Sequence, residues 1–253
     1  MSTTVSFEFD VTDKTEMGSR LVVGTAFPGM VGLSAVDYLV AHSESAQVGQ
    51  VTARGLTDVT PFTDGVPRYP MRLYDVPEFD MTVLTSELFL PVGVGEPFSD
   101  ALVAFANERG IEEITVVYGV PFPHGPEEHA VFYVATEEYR AGHLAETDIP
   151  PLGGGFFDGF LGELMLRGLG AESPPVGALV TPAHPPGPDL DAAIRVLEAV
   201  EELYGVAIDE AELRQRAEEL RRQYQELADR MQTLEDGDLS ASGRDYPEDR
   251  MFM

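Results

Sequence analysis

The chain contains no cysteine and no tryptophan, and Lys14 is its only lysine. Without cysteine there is no disulfide, no thiol chemistry and no thiolate-held metal, and a secreted disulfide framework is excluded. Basic residues of any kind are scarce: 16 Lys and Arg stand against 44 Asp and Glu among 253 residues, a formal charge of −28. Nucleic-acid binding draws its affinity from cations that neutralise phosphates, so a surface of this sign repels a polyanion; an anionic membrane surface is disfavoured for the same reason. Long apolar runs are missing as well, since no stretch reaches the roughly 18 uncharged apolar residues of a membrane span. Residues 1–8 have neither the basic nor the apolar region of a signal peptide, so the cytoplasm is the expected compartment.

What is present is enough to fold. With 43% hydrophobic and 9% aromatic residues the chain can bury a core, so the high charge does not mean disorder. An acidic excess with almost no lysine is what a protein adapted to concentrated salt is expected to show. At 1 M salt the Debye length falls to about 3 Å, and repulsion between surface carboxylates becomes tolerable.

The apolar pattern alternates between strand-like and helix-like segments. Leu21 to Ala26 reads as a buried strand, broken at Phe27-Pro28-Gly29 and followed by a helical pattern from Met30 to Val40 that packs closely at Gly32. Further strands are expected at Gln47 to Thr52, Met81 to Thr85, Glu113 to Tyr118, Val131 to Ala135 and Val176 to Thr181. Helices are expected from Ser99 to Arg109, with Ser99 as N-cap and Gly110 as terminator, and from Phe157 to Leu169. The Pro- and aromatic-rich stretch Thr57 to Pro77 suggests a β-hairpin or ordered loop. Strands alternating with helices imply an α/β fold, a layered sheet with helices on both faces.

After the Pro-rich residues 182–188 the composition changes. Residues 1–188 are read as the α/β domain, 189–236 as a helical extension and 237–253 as a flexible polar tail that ends in Met251-Phe252-Met253. Within the extension, Asp189 to Tyr204 forms one helix, ended by Gly205. A second starts near Asp209, with apolar positions Leu213, Ala217, Leu220, Tyr224, Leu227, Met231 and Leu234. Their 3.5-residue period is a narrow seam that packs on a long partner helix, either within the subunit or in another copy.

Several motifs resemble chemical sites and fall short. Gly24 to Val31 has the glycine spacing of a phosphate loop, with Met30 and Val31 where Lys and Ser or Thr are needed. Gly32 to Val36 starts like a nucleophile elbow, but Ser34 lies inside the helical pattern. His124, Glu127, Glu128 and His129 lie in a Pro-bounded loop without helical ligand spacing. Gly29, Gly32, Gly153 and Gly154 are possible anion-binding turns, against the simpler reading of tight turns; in the second loop that reading lets Phe156, Phe157 and Phe160 enter the core. No metal and no cofactor is expected. An apolar, aromatic and free-carboxylate terminus on a tether suits insertion into a pocket with a basic base.

In order along the chain, Val23 to Gly32 with Ala35 to Leu39, Pro151 to Gly155 running into Phe157 to Leu169, Val176 to Pro186 and the paired helices resemble the archaeal form of the proteasome assembly chaperone family. The likeness spans roughly residues 15–236, and its acidic, tailed version looks like those of haloarchaea. The resemblance implies a phosphorylase-like α/β layout, self-association, and binding to 20S proteasome α subunits through a hydrophobic-Tyr-any terminus. Met251, Phe252 and Met253 would take those three places, with Phe252 where Tyr is usual. Losing the phenol removes one hydrogen bond, about 0.5–1.5 kcal/mol. The alternatives are a phosphorylase-like enzyme or anion- or nucleoside-binding protein drawing on Arg20, Arg54 and Arg140, and a coiled-coil oligomeric scaffold.

Overall fold

A computed structural model describes residues 4–12, 17–121, 125, 128–184 and 187–241. The β-branched run expected at Glu113 is a strand, β8 (Glu113–Val120), and its two faces separate cleanly: Ile114 and Val116 point into one core, Val117 into the other. It lies among the parallel strands β2 (Arg20–Thr25), β7 (Met81–Ser86) and β10 (Val176–Pro182). Antiparallel strands complete the sheet: β1 (Ser6–Val11), β3 (Ala46–Arg54), β6 (Met71–Val76) and β9 (Phe132–Ala135). The order is β1-β3-β6-β7-β2-β8-β10-β9.

Each face of the sheet is covered by helices. Helices α1 (Val31–Ala41) and α5 (Leu190–Tyr204) pack over Val22, Val83, Val117 and Leu179, while α2 (Gly95–Arg109) and α4 (Gly159–Gly168) cover Leu21, Val23, Leu84 and Val116. Full burial of such side chains is worth about 1.5–3 kcal/mol each, which is why strands apolar on both faces demand two helical layers. A short turn of helix, α3 (Glu137–Tyr139), continues as a π-helical turn through Leu144.

Local chemistry sets the ends of these elements. Asp189 caps α5, its Oδ1 accepting from the amide of Ala192 at 3.0 Å, and Gly205 ends the helix at φ 65°. The 57–77 stretch does hold a hairpin, β4 (Phe62–Thr63) with β5 (Val66–Pro67). Asp64 and Gly65 both have positive φ there, as a type I′ turn requires. Its last residues form β6, which the sequence reading did not separate from the turn.

Two expectations are corrected. Helix α2 starts at Gly95, four residues before Ser99. A 3₁₀ turn at Val92–Val94 leads into it, and Pro97 sits in the first turn, where its missing N–H costs nothing. Ser99 is buried inside the helix, its hydroxyl donating to the carbonyl of Phe160 at 3.0 Å, so it joins α2 to α4 and is not a cap. In the glycine loop, Phe160 is buried and Phe157 packs against the core, but Phe156 is 92% exposed.

The last helix, α6 (Ala211–Ala241), runs through Gly237, where the tail was expected to begin. An isolated interior glycine costs only about 1 kcal/mol relative to alanine. Leu213 and Ala217 are buried with the α1–α5 core, Leu220 is half-buried, and Tyr224, Leu227 and Met231 are exposed. The side chain of Leu234 lies outside the described residues.

Candidate functional site

Both motifs around the first glycine turn meet at the carboxyl ends of the parallel strands. Gly24 and Gly32 let α1 approach β2 and β8 closely: a Cβ on Gly32 would sit 2.3 Å from the carbonyl oxygen of Val117, and one on Gly24 2.3 Å from that of Gly32. Between them, Gly29 (φ 62°) and Met30 (φ 55°) take left-handed conformations. The amide of Met30 donates to Ala26 and that of Val31 to Pro28, while the carbonyl of Gly29 accepts from Asp189. These amides are thus engaged within the turn, and Gly32 is used for packing. Ser34 lies inside α1, as its spacing implied.

Beside this turn lies a small cleft of about 80 Å³, walled by Phe27, Phe89, Val92 and Phe160 with Tyr118 and Asp158. Burial, aided by the Asp158 charge, pushes the Tyr118 phenol up to about 12, so it stays neutral. Among the described residues no Lys, Arg or His lines the cleft. It can take an apolar group and offers an anion nothing. Gly153 and Gly154 lie in open space, where an added Cβ would touch nothing.

The three arginines that an anion site would need do not converge. Arg20 lies at the opposite end of β2, its guanidinium over the Tyr204 ring; Arg54 pairs with Glu8 on the far side of the sheet, and Arg140 with Glu137 on the surface. Of the loop residues considered as metal ligands, His124 and Glu127 lie outside the described residues. Glu128 accepts from the amide of Gly125, and the His129 ring contacts that of His184. No group of three or more His, Cys, Asp or Glu able to hold a metal occurs among the described residues.

Two buried polar clusters were not anticipated. Arg72 is 1% exposed, and its guanidinium donates to Glu87 at 2.6 Å, to the Tyr69 carbonyl and to the Tyr74 hydroxyl. Asp37 on α1 lies 3.7 Å away. Burial pushes the Asp37 carboxyl up to about 6, outweighing the pull of Arg72. At the other end of the sheet, Thr115 bonds to the hydroxyls of both Tyr139 and Tyr204 at 2.5 Å, with Glu113 and His143 paired beside them. Burial raises the Glu113 carboxyl against the opposing charges of His143 and Arg20. The signal in the sequence was a charged residue set against apolar neighbours, Arg72 between Met71 and Leu73 and Glu113 before Ile114. Both clusters join helices to strands, and neither opens into the cleft.

Helix α6 climbs antiparallel to α5, with Arg214 paired to Glu198 and Arg221 to Asp191. It reaches the carboxyl edge of the sheet where the Tyr224 hydroxyl donates to the carbonyl of Gly187. Among the described residues no helix is long and apolar enough to cross a membrane. Met251, Phe252 and Met253 lie outside the described residues.

These features define a mixed α/β protein with a central sheet, two flanking helical layers and an apolar edge. The chain belongs to the PAC2 family, whose family model matches residues 21–228. Its fold is similar to that of Pyrococcus furiosus PbaA, described as an archaeal homolog of proteasome-assembly chaperone, with a TM-score of 0.77 and 17% identity over 92% of this chain and 97% of that one. It is also similar to Pyrococcus furiosus PbaB, described as an archaeal proteasome activator (TM-score 0.71, 20% identity, 88% and 99% covered). A Thermoplasma acidophilum protein of unknown function matches with a TM-score of 0.72 and 22% identity over 89% and 92% of the two chains. Bacterial structures from Corynebacterium and Streptomyces match too, so the fold is not confined to archaea. No curated protein matches the chain.

Proposed function

We propose that this protein is a non-enzymatic proteasome-assembly chaperone or adaptor, cytoplasmic and adapted to concentrated salt in the manner of haloarchaeal proteins. In this reading it self-associates and docks Met251-Phe252-Met253 between α subunits of the 20S ring, with Met251 and Phe252 buried and the Met253 carboxylate on a cation. The phosphorylase-like layout serves as a frame and not as an enzyme. Membership of the PAC2 family supports the reading, and so does the fold shared with PbaA and PbaB. The observation that carries it is the family model's match over residues 21–228.

The test is capture of archaeal 20S α subunits at high salt by the full chain and by a chain lacking residues 251–253. Loss of capture on truncation is expected. Equal capture by both would remove the tail from the mechanism, and capture by neither would remove the partner.

A further inference from the structure

The cleft beside the first glycine turn takes no part in the proposed function, yet its place in the sheet is one where ligands bind. It lies at the carboxyl ends of β2 and β8, which are neighbours in the sheet. From β2 the chain turns into α1 on one face, and after β8 it reaches β10 through α4 on the other. Adjacent parallel strands whose connections part to opposite faces leave a crevice between them, the usual seat of a ligand in an open α/β sheet.

Four aromatic rings line this crevice. Phe27 and Phe89 stand at 88° with centroids 5.5 Å apart, and Tyr118 and Phe160 at 70° and 6.0 Å. Phe27 and Phe89 are 55% and 56% exposed, so they add little to the core, but the loops that carry them are fixed. The buried Thr25 hydroxyl donates to the Phe27 carbonyl at 3.2 Å, and the buried Ser86 hydroxyl donates to that of Leu88 at 3.2 Å. On the other side the Ser99 hydroxyl holds the Phe160 carbonyl. The walls are therefore positioned in advance, which lowers the ordering cost of binding.

The polar groups decide which ligand fits. Asp158 brings the one formal charge among the described residues that line the cleft, and its carboxylate caps no amide of α4. The Tyr118 phenol beside it stays neutral. An anion would meet the full charge of Asp158 against roughly half a charge of opposite sign at the end of α4. A purely apolar ligand would cover the carboxylate and the phenol without pairing them, which is costly. A cation with an apolar surface answers to all of these groups, because the faces of aromatic rings carry negative charge and draw alkylated ammonium ions.

We propose that this cleft binds a methylated ammonium group with no carboxylate of its own, its methyl groups against Phe27, Phe89 and Phe160 and its charge balanced by Asp158. The field of a chain with a charge of −28 favours the same sign of ligand. Ring contact is short-range, so it persists in salt that screens attraction from afar.

Ligand-observed NMR on the full chain at high salt tests this, with saturation of the aromatic protons read at the methyl signal of choline. Choline should bind at least about tenfold more tightly than dimethylbutanol, its uncharged isostere with carbon in place of nitrogen, and than glycine betaine, which adds a carboxylate that Asp158 repels. Asp158→Asn and Phe89→Leu, both at exposed positions, should each weaken choline by about tenfold while leaving the circular dichroism unchanged. A trimethyl-lysine peptide titrated in parallel assigns the source: tighter binding than choline places the group on a protein, and equal binding makes it a free solute.

No saturation transfer to choline, equal binding of dimethylbutanol, or an Asp158→Asn chain that binds as well as wild type would each overturn the proposal. The comparison among ligands uses the wild-type chain alone, so it stays decisive if a variant misfolds. Removal of residues 251–253 should leave choline binding unchanged, which separates this site from the tail.

Discussion

The hydroxyl of Tyr224 donates to the carbonyl of Gly187 across 3.1 Å, and Gly187 is pressed against the backbone of Gly29. One bond therefore ties the last helix to the turn after β10 and, through it, to the turn after β2. Three segments far apart in the chain meet at one point on the carboxyl edge of the sheet. On one side of that point Leu213 and Ala217 of α6 are part of the core; on the other Leu227 and Met231 are exposed.

The contact of Gly32 with β8 leaves no room for a methyl group. Gly32→Ala should destabilise the protein by about 1–3 kcal/mol or more, since the obstruction is the backbone oxygen of Val117 and not a side chain that can turn away. Gly153→Ala, in open space, should stay within about 0.5 kcal/mol of wild type. Chemical denaturation of the two variants side by side checks both. A mild Gly32→Ala would mean that α1 can lift from the sheet.

Arg72 and Glu87 form a pair whose side chains are 2% and 20% exposed. Arg72→Ala should cost about 3 kcal/mol, because it strands a carboxylate in a partly dry setting, although Arg68 at 2.9 Å retains some of its partner charge. Adding Glu87→Ala should recover part of the loss, and a double-mutant cycle would read a coupling of at least about 1 kcal/mol. Simple additivity would show that the two side chains act independently.

Asp37 gives stability a pH dependence of definite sign. Burial lifts its carboxyl from 3.8 to about 6, so the folded protein holds a proton across that window while the unfolded chain has released it. Its contribution to stability therefore falls as pH rises from about 4 to about 6. Asp37→Asn should remove that slope and raise Tm at neutral pH. The gain should be well below the ~3 kcal/mol that two pH units would convert to, because the carboxyl is 40% exposed and screened. Parallel thermal melts of both chains from pH 4 to pH 8 decide it; identical slopes would assign the dependence elsewhere.

The parts of this fold that were legible in the sequence are those whose signal is local. The strand at Val176, the helix after Asp189 and the stop at Gly205 follow from a short apolar run, a capping carboxylate and a left-handed glycine. Residues that answer to distant neighbours were misread or missed. Ser99 has the composition of a cap, but its partner is a carbonyl 61 residues away. Phe156 has the composition of a core residue, but the chain turns it outward. The period of α6 was plain, whereas the point at which its seam leaves the body is set by Tyr224 and Gly187, which are 37 residues apart. The edge formed by Phe27, Phe89 and Val92 was invisible for the same reason, being assembled from two loops.

The glycines at 24 and 32 bear on what a signature sequence records. Val23 to Gly32 carried part of the likeness to a known family, and its glycines at 24 and 32 serve the joint between a helix and a sheet. A chain could keep this stretch unchanged while exchanging every partner it has. The converse holds for the exposed side chains of outer α6, Leu227 and Met231, which can be altered without disturbing the joint. In this architecture kinship is written in the hinge of the frame, and allegiance is written on its rim.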